Sequence, residues 1–345
     1  MLMLASPTIQ GIDRATTEAV AQYWTVRKLQ QDRQKLTGRT DPTVHRLIQA
    51  DARYLDFIPD SSVHLVVTSP PYWILKRYNE NPNQLGHIEQ YEEFLEELAR
   101  VWKHCFRVLV PGGRLACVVG DVCLSRRKYG RHVVMPLHSD IAVACRKIGF
   151  DNLNPIIWYK ISNANYEVSN GTKFLGKPYE PNAIIKNDIE FILMQRKPGG
   201  YRHPTVEQRQ LSMIDKKDYD TWFRQIWDFS GESTRQHPAP FPCELAFRLV
   251  RMFSFHGDTV LDPFCGTGTT MVAALRTGRS SIGVEIDAEY CRIAARRLRD
   301  ESANLFSRAR LLFEKVEQTA EGSLQIREES EMYQVRKRIR HSAKT

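Results

Sequence analysis

The feature that most constrains this chain is an alternation of short β-branched apolar runs with long amphipathic segments. Val63-His-Leu-Val-Val-Thr68 is such a run, bounded by Asp60-Ser-Ser and Ser69-Pro-Pro71. Its length and β-branched content predict a buried strand. Over residues 89–110, Tyr91, Phe94, Leu95, Leu98, Val101, Trp102 and Cys105 recur at helical spacing. Glutamates load the front of this segment and Lys103, His104 and Arg107 its back, the order that suits a helix dipole. Pro111-Gly-Gly113 should stop the helix, and Arg114-Leu-Ala-Cys-Val-Val119 should follow as another buried strand. Strand, helix and strand on short connectors predict a mostly parallel, doubly wound α/β sheet.

The same pattern places strands at His45–Ala50, Asn154–Lys160, Ile189–Gln195, Thr259–Asp262 and Ser281–Glu285. Helices are expected over Thr16–Gln34, His138–Gly149, Cys243–His256, the segment ending at Arg276, and Ala288–Asp300. Residues 1–40 read as an N-terminal arm and 301–345 as a charged C-terminal tail. Residues 162–235, rich in Asn, Gly, Lys, Tyr and Pro, read as an insertion between core parts 41–161 and 236–300. No run approaches the ~20 apolar residues of a membrane helix, and the first ten residues lack the pattern of a signal peptide. Seven cysteines, scattered and without a C-x-x-C pair, argue against a disulfide framework or a zinc ribbon and fit a reducing cytosol. No metal site is expected. With 49 Lys and Arg against 40 Asp and Glu, the net charge of +9 favours a polyanionic partner such as nucleic acid, against the plainer reading of a basic solvated surface.

Two turns carry the chemistry. In Val260-Leu-Asp-Pro-Phe-Cys-Gly-Thr-Gly-Thr-Thr270, a strand runs through a glycine turn into a helix, and Glu285 ends the next strand. Gly266 and Gly268 permit a positive φ and close approach of a ligand, and a carboxylate at Glu285 stands where a βαβ unit binds ribose. A tight turn without a ligand is the plain alternative. Met271 occupies the place of the third glycine or alanine of a dinucleotide fingerprint, which counts against a nicotinamide enzyme. The second turn, Thr68-Ser69-Pro70-Pro71-Tyr72-Trp73, follows a core strand directly. Two prolines stiffen it and remove two N–H donors, leaving acceptors beside a flat ring. That combination suits a planar base bearing an exocyclic amine; a rigid loop with packed aromatics is the alternative.

Together the two turns resemble the amino-group DNA methyltransferases that use S-adenosylmethionine. The family's catalytic motif, (Asp/Asn/Ser)-Pro-Pro-(Tyr/Phe/Trp), reads Ser69-Pro70-Pro71-Tyr72 here, and its cofactor motif looks like Asp262–Thr270. The catalytic motif comes first by about 190 residues, an order resembling the family's circularly permuted beta group, with the target recognition region between. The resemblance covers roughly 45–165 and 236–299. It implies catalysis by Ser69, Pro70 and Tyr72. It implies cofactor contacts from Asp51, Thr68, His237, Asp262, Phe264, Gly266, Gly268, Thr269, Thr270 and Glu285. Ile157-Trp-Tyr-Lys160 resembles the motif at the edge of the target-base pocket. The Ser form of the motif is typical of cytosine-N4 enzymes and the Asp form of adenine-N6 enzymes, so cytosine-N4 is expected and adenine-N6 is the alternative. The implied partner is double-stranded DNA, with a flipped base and a cognate restriction endonuclease as a further partner. The implied setting is a prokaryotic cytoplasm, at the nucleoid, and the implied state a monomer or homodimer.

Outside the motifs, Arg126, Arg127, Lys128 and Arg131 surround Tyr129 after the Arg114–Val119 strand and are expected at DNA phosphates; a solvated charge run is the alternative. Arg336, Lys337, Arg338 and Arg340 near the end could touch DNA, but a disordered tail is the first expectation. Cys243 after Pro242 would suit a cytosine-C5 nucleophile but reads better as a helix residue. The Pro-Cys-x-x-Cys ligands of a zinc deaminase are absent. A non-catalytic DNA-binding subunit of the same fold is the rival outside enzymology.

Overall fold

The computed structural model describes residues 42–75, 83–160, 181, 185, 187–231, 241–304, 309–318 and 324–328. The expected helix Thr16–Gln34, His237 and the basic cluster at 336–340 lie outside the described residues, as does most of 162–186.

The centre of the molecule is a run of parallel strands: β1 (Val44–Gln49), β2 (Val63–Thr68), β3 (Leu109–Val119), β10 (Thr259–Asp262) and β11 (Ser280–Glu285). They lie side by side in the order β1, β11, β10, β2, β3. β8 (Ile189–Arg196) pairs antiparallel with β3 and is followed outward by β7 (Ile156–Tyr159) and β9 (Ile226–Asp228). The short strand β6 (Asp151–Asn152) also pairs with β8.

Both faces of the sheet are covered, as period-2 burial dictates. On β2, Val66 packs with the helix α1 (Tyr91–Val108), while Leu65 and Val67 pack on the opposite side with the helix α6 (Cys243–Phe253). On β3, Leu115, Cys117 and Val119 face the first side and Ala116 and Val118 the second. Helix α1 buries Tyr91, Phe94, Leu98, Val101, Trp102, Cys105 and Val108, a single stripe at i, i+3, i+4 spacing. The helix α3 (Leu137–Ile148) adds Leu137, Ile141 and Cys145 to the same core.

Helix α1 passes straight into β3 at Leu109. Pro111-Gly112-Gly113 therefore lies inside the strand as an irregularity, where pairing with β2 shifts between Val63 and Leu65. Gly112 has φ +77°, and a Cβ there would stand 2.6 Å from the Gly200 carbonyl oxygen, so only glycine fits.

Two expectations of organisation are corrected. The segment 301–345 is not simply a charged tail, because β12 (Arg310–Gln318) pairs parallel with β1 and β13 (Leu324–Glu328) pairs antiparallel with β12. Leu311 is buried, Phe313 packs beside the core, and Glu314 is bonded to Arg46 at 2.9 Å, so charged residues interleave with a strand pattern. Residues 162–235 are likewise not all insertion: β8 and β9 fall within those bounds and complete the sheet. The helices α4 (Val206–Leu211) and α5 (Lys216–Trp222) lie between them.

Between β3 and α3, β4 (Val122–Leu124) and β5 (Val133–Met135) form a hairpin whose tip is the four-residue helix α2 (Arg126–Tyr129). The helices α7 (Thr269–Arg276) and α8 (Ala288–Asn304) complete the layer beside β10 and β11.

Candidate active site

Parallel pairing of β2 with β10 brings the carboxyl ends of these strands together, though they lie nearly 200 residues apart in sequence. Here the proline turn and the glycine turn meet. Thr68 Oγ1 donates to Asp262 Oδ1 at 2.7 Å, both residues being almost fully buried. The Phe264 N–H donates to the same oxygen at 3.1 Å. The Thr270 hydroxyl reaches the Val67 carbonyl at 3.2 Å and also lies within reach of the Asp262 carboxyl. Burial nevertheless pushes the Asp262 pKa up to about 6, with these donors opposing the shift.

The glycine turn closes on itself. The Cys265 N–H donates to the Val284 carbonyl at 2.9 Å, and the Gly268 N–H to the Cys265 carbonyl at 2.7 Å. Gly268 caps α7 with φ +81°, in close contact with Ala294. Met271, the departure from a dinucleotide fingerprint, is fully buried against Gly283, where a Cβ would stand 2.3 Å from its sulfur. The larger side chain thus takes the room that a glycine on β11 leaves.

Glu285 ends β11. One oxygen accepts the Gly266 N–H at 2.9 Å and the other the Asp287 N–H at 2.9 Å. A carboxylate has about four lone-pair sites, so each oxygen keeps one for a ligand. Burial raises the Glu285 pKa to about 7, against the two backbone donors.

These groups border a half-open cleft at the carboxyl ends of the strands. Ala50, Asp51 and Ala52 from the end of β1, Ser69 and Pro71 from the proline turn, and Phe264, Glu285 and Ile286 from the glycine side are among the residues lining it. Apolar walls beside a carboxylate with two spare acceptor sites suit the ring and hydroxyls of a nucleoside.

The predicted site residues divide into three sets. Asp51, Ser69, Phe264 and Glu285 line the cleft. Thr68, Asp262 and Thr270 form the buried seam beneath it. Gly266 and Gly268 shape the turn, and the Thr269 hydroxyl is engaged by Arg297 at 3.2 Å, on the α8 side. Asp51 is gripped by Arg53, whose Nη2 lies 2.6 Å from Oδ2, and Arg53 also bridges to Glu97 at 2.8 Å. Pro70 is buried and Tyr72 only 6% exposed, so a base stacking on Tyr72 must displace what covers it. Trp73 is a core residue, edge-on to Tyr91 at 5.0 Å, with φ +45°, a conformation that costs a bulky side chain roughly 1–3 kcal/mol.

Three partners escape the sequence motifs. Glu190 on β8 accepts from the Tyr72 hydroxyl at 3.2 Å and is ion-paired with Lys160; a lone acid inside the apolar run IEFILMQ was the available signal. Arg297 holds the Thr267 carbonyl at 2.7 Å and so braces the glycine turn from α8. Arg53 has no local signal beyond its nearness to Asp51.

Arg126, Arg127, Lys128 and Arg131 stand exposed at the hairpin tip, and among the described residues none is paired with a carboxylate. The hairpin springs from the carboxyl end of β3. Its two roots are tied by Asp121 and His138 at 2.6 Å.

Residues 63–296 match the family model for N6/N4 DNA methylases. The Type II methyltransferase M.MjaI of Methanocaldococcus jannaschii is 42% identical over 277 residues, covering 71% of this chain and 88% of that protein. The DNA adenine methyltransferase YhdJ of Escherichia coli K12 is 30% identical over 274 residues, 73% of this chain and 82% of its own. A DNA modification methylase of Thermus thermophilus, solved in complex with S-adenosyl-L-methionine, superposes with a TM-score of 0.63 at 57% identity, over 74% of this chain and 94% of its own. With the fold and the two turns joined at one cleft, the chain belongs to the N6/N4 DNA methylases, enzymes that methylate DNA with S-adenosylmethionine.

Proposed function

We propose that the enzyme methylates the exocyclic N4 amine of a cytosine swung out of double-stranded DNA at a short recognition site, as the modification arm of a restriction–modification system. The observation that carries this reading is that Ser69 and Pro71 share one cleft with Phe264 and Glu285. S-adenosylmethionine supplies an activated methyl group. On this reading Glu285 holds its ribose and Phe264 and Ile286 its ring.

An aromatic amine is a poor nucleophile because its lone pair is delocalised into the ring. Ser69 Oγ and the Pro70 carbonyl are the acceptors for its two N–H bonds; holding both favours a pyramidal nitrogen whose lone pair is free to attack. Fixed dipoles then meet the positive charge that develops on nitrogen. The base leaves the duplex at a cost of a few kcal/mol, offset in part by stacking on Tyr72, worth about 1–3 kcal/mol. The exposed cations of the hairpin tip hold the phosphates, and the region between β7 and α6 reads the site.

Adenine-N6 transfer is the second reading. The same pair of acceptors suits that amine, and a relative of similar coverage is named an adenine methyltransferase. Ser69 at the head of the motif favours cytosine. The test is to methylate unmodified DNA with the purified enzyme, digest to nucleosides and identify the product. N4-methyldeoxycytidine supports the proposal, N6-methyldeoxyadenosine alone reassigns the base, and no methylated nucleoside refutes the reading.

A further inference from the structure

Methyl transfer to a primary amine leaves its nitrogen one proton in excess, and the Ser69–Tyr72 turn contains no base to take it. Next to that turn lies a carboxylate to which the proposed mechanism gives no role. Glu190 is 7% exposed, on the strand antiparallel to β3. One of its oxygens is ion-paired with Lys160 of the β7 end, itself half-buried with its ammonium 4.3 Å from the Trp158 ring centre. The other accepts from the Tyr72 hydroxyl at 3.2 Å. Tyr72 Oη in turn accepts from Ser69 Oγ at 3.4 Å.

The direction of these bonds is what matters. Ser69 donates to Tyr72 and Tyr72 donates to Glu190, which leaves the lone pairs of Ser69 for an incoming amine. Both contacts are longer than the usual O–H···O range of about 2.5–3.0 Å, as catalytic contacts in unliganded sites often are. Packing holds the acceptor in place: a Cβ on Gly120 would stand 3.3 Å from Glu190 Cγ and 3.6 Å from Tyr72 Cε2. A buried ion pair is a poor source of stability against apolar packing, and at a reactive cleft it is a functional candidate.

We propose that Glu190, clamped by Lys160, orients Tyr72 and ends the path by which the amine proton leaves, through Ser69 and Tyr72. This rests on the reading above that the amine sits at Ser69. One N–H bond breaks and its electron pair stays on nitrogen. Ser69 takes that proton as it passes its own to Tyr72, and Tyr72 passes its own to Glu190. The base loses one proton, Glu190 gains one, and both hydroxyls end as they began. Glu190 touches no substrate, so it is a positioning residue that acts through Tyr72.

The test is the single-turnover methylation rate with DNA and cofactor saturating, measured for Glu190→Gln, Tyr72→Phe and the double variant, beside dissociation constants for both ligands. Glutamine keeps an acceptor for Tyr72 but takes no proton; phenylalanine keeps the ring and loses the hydroxyl. Each single variant should be slowed at least about tenfold, the lower end of acid–base effects being about a hundredfold for an unassisted loss. Both dissociation constants should stay within about threefold. The double variant should be no slower than the slower single one, because the residues act as a unit. A parental rate in either variant, or effects that multiply, overturns the path. If Glu190→Gln does not fold, Tyr72→Phe alone decides. Ser69→Ala separates the two ideas: a parental rate there overturns the placement of the amine, whereas a slow Ser69→Ala beside fast Glu190→Gln and Tyr72→Phe overturns the proton path only.

Discussion

Thr68→Val cuts a side-chain bond that joins the two turns and leaves a side chain of the same shape in a strand that favours it. The hydroxyl donates over 2.7 Å to a carboxyl that is 1% exposed. A hydrogen bond to a charged group is worth about 1.5–3 kcal/mol, and the acceptor left behind has no water to turn to. A loss of about 2 kcal/mol follows at pH 8, where Asp262 is ionised. At roughly 2.1 cal/mol/K per residue, a chain of this length unfolds with an entropy near 0.7 kcal/mol/K, so Tm should fall by about 3 °C.

The size of the effect depends on pH. The Asp262 pKa is raised by burial to about 6, above that of the unfolded chain. A group shifted upward contributes stability below its unfolded pKa and loses it as pH rises through the folded one. Thr68 is the largest of the donors that oppose the shift, so removing it lifts the pKa further and steepens the loss toward high pH. At pH 5 the carboxyl is mostly protonated and the missing bond is neutral, worth about half as much. The measurement is a thermal melt of both proteins at pH 5 and pH 8. The drop in Tm should be about twice as large at pH 8. An equal drop, or a larger one at pH 5, would refute the claim that a buried carboxylate is held across this seam.

Two further outcomes follow from the cleft and the hairpin. Because the Glu285 pKa lies at about 7 and a ribose is received best by the carboxylate, affinity for S-adenosylmethionine should rise with pH, by about tenfold between pH 6 and pH 8; calorimetric titration of Glu285→Gln should show weaker binding with that dependence gone, and a pH-dependence unchanged in the variant would remove Glu285 from the ribose. Replacing Arg126, Arg127, Lys128 and Arg131 by Ser should leave Tm unmoved, since all four are exposed. It should also flatten the slope of log affinity for DNA against log salt by up to about 3.6, at 0.9 per phosphate; an unaltered slope would place the phosphates elsewhere.

The parallel core was legible because its strands are continuous β-branched runs and α1 carries a clean stripe. Both turns were legible because glycine and proline act locally on the backbone, without help from distant residues. β12 was not, since Arg310, Glu314, Lys315 and Glu317 break the apolar run and Glu314 is made tolerable inside by its pairing with Arg46. Glu190 was hidden for the opposite reason: one acid in an apolar strand reads as an edge residue until Lys160 and Tyr72 are seen beside it. The burial of Tyr72 also lay beyond the sequence, because Gly120 and Glu190, which pack on it, are distant in the chain.

Asp262 and Glu285 at the carboxyl end of the sheet are satisfied differently from Asp258 at the amino end. At the amino end Asp258 is 2% exposed and ion-paired with Arg202, with the Phe255 N–H donating to it at 2.7 Å. Its charge is neutralised, which is what a structural role requires. At the carboxyl end Asp262 and Glu285 are held by hydroxyls and backbone N–H groups alone, and among the described residues no ammonium or guanidinium is hydrogen-bonded to either. The cost of that choice is visible in the raised pKa of both groups. A fold seeking stability alone would supply an arginine here, as it does for Asp258. Leaving Glu285 without a cation keeps its outer lone pairs open to the hydroxyls of a ligand, which is what the proposed ribose contact requires of it.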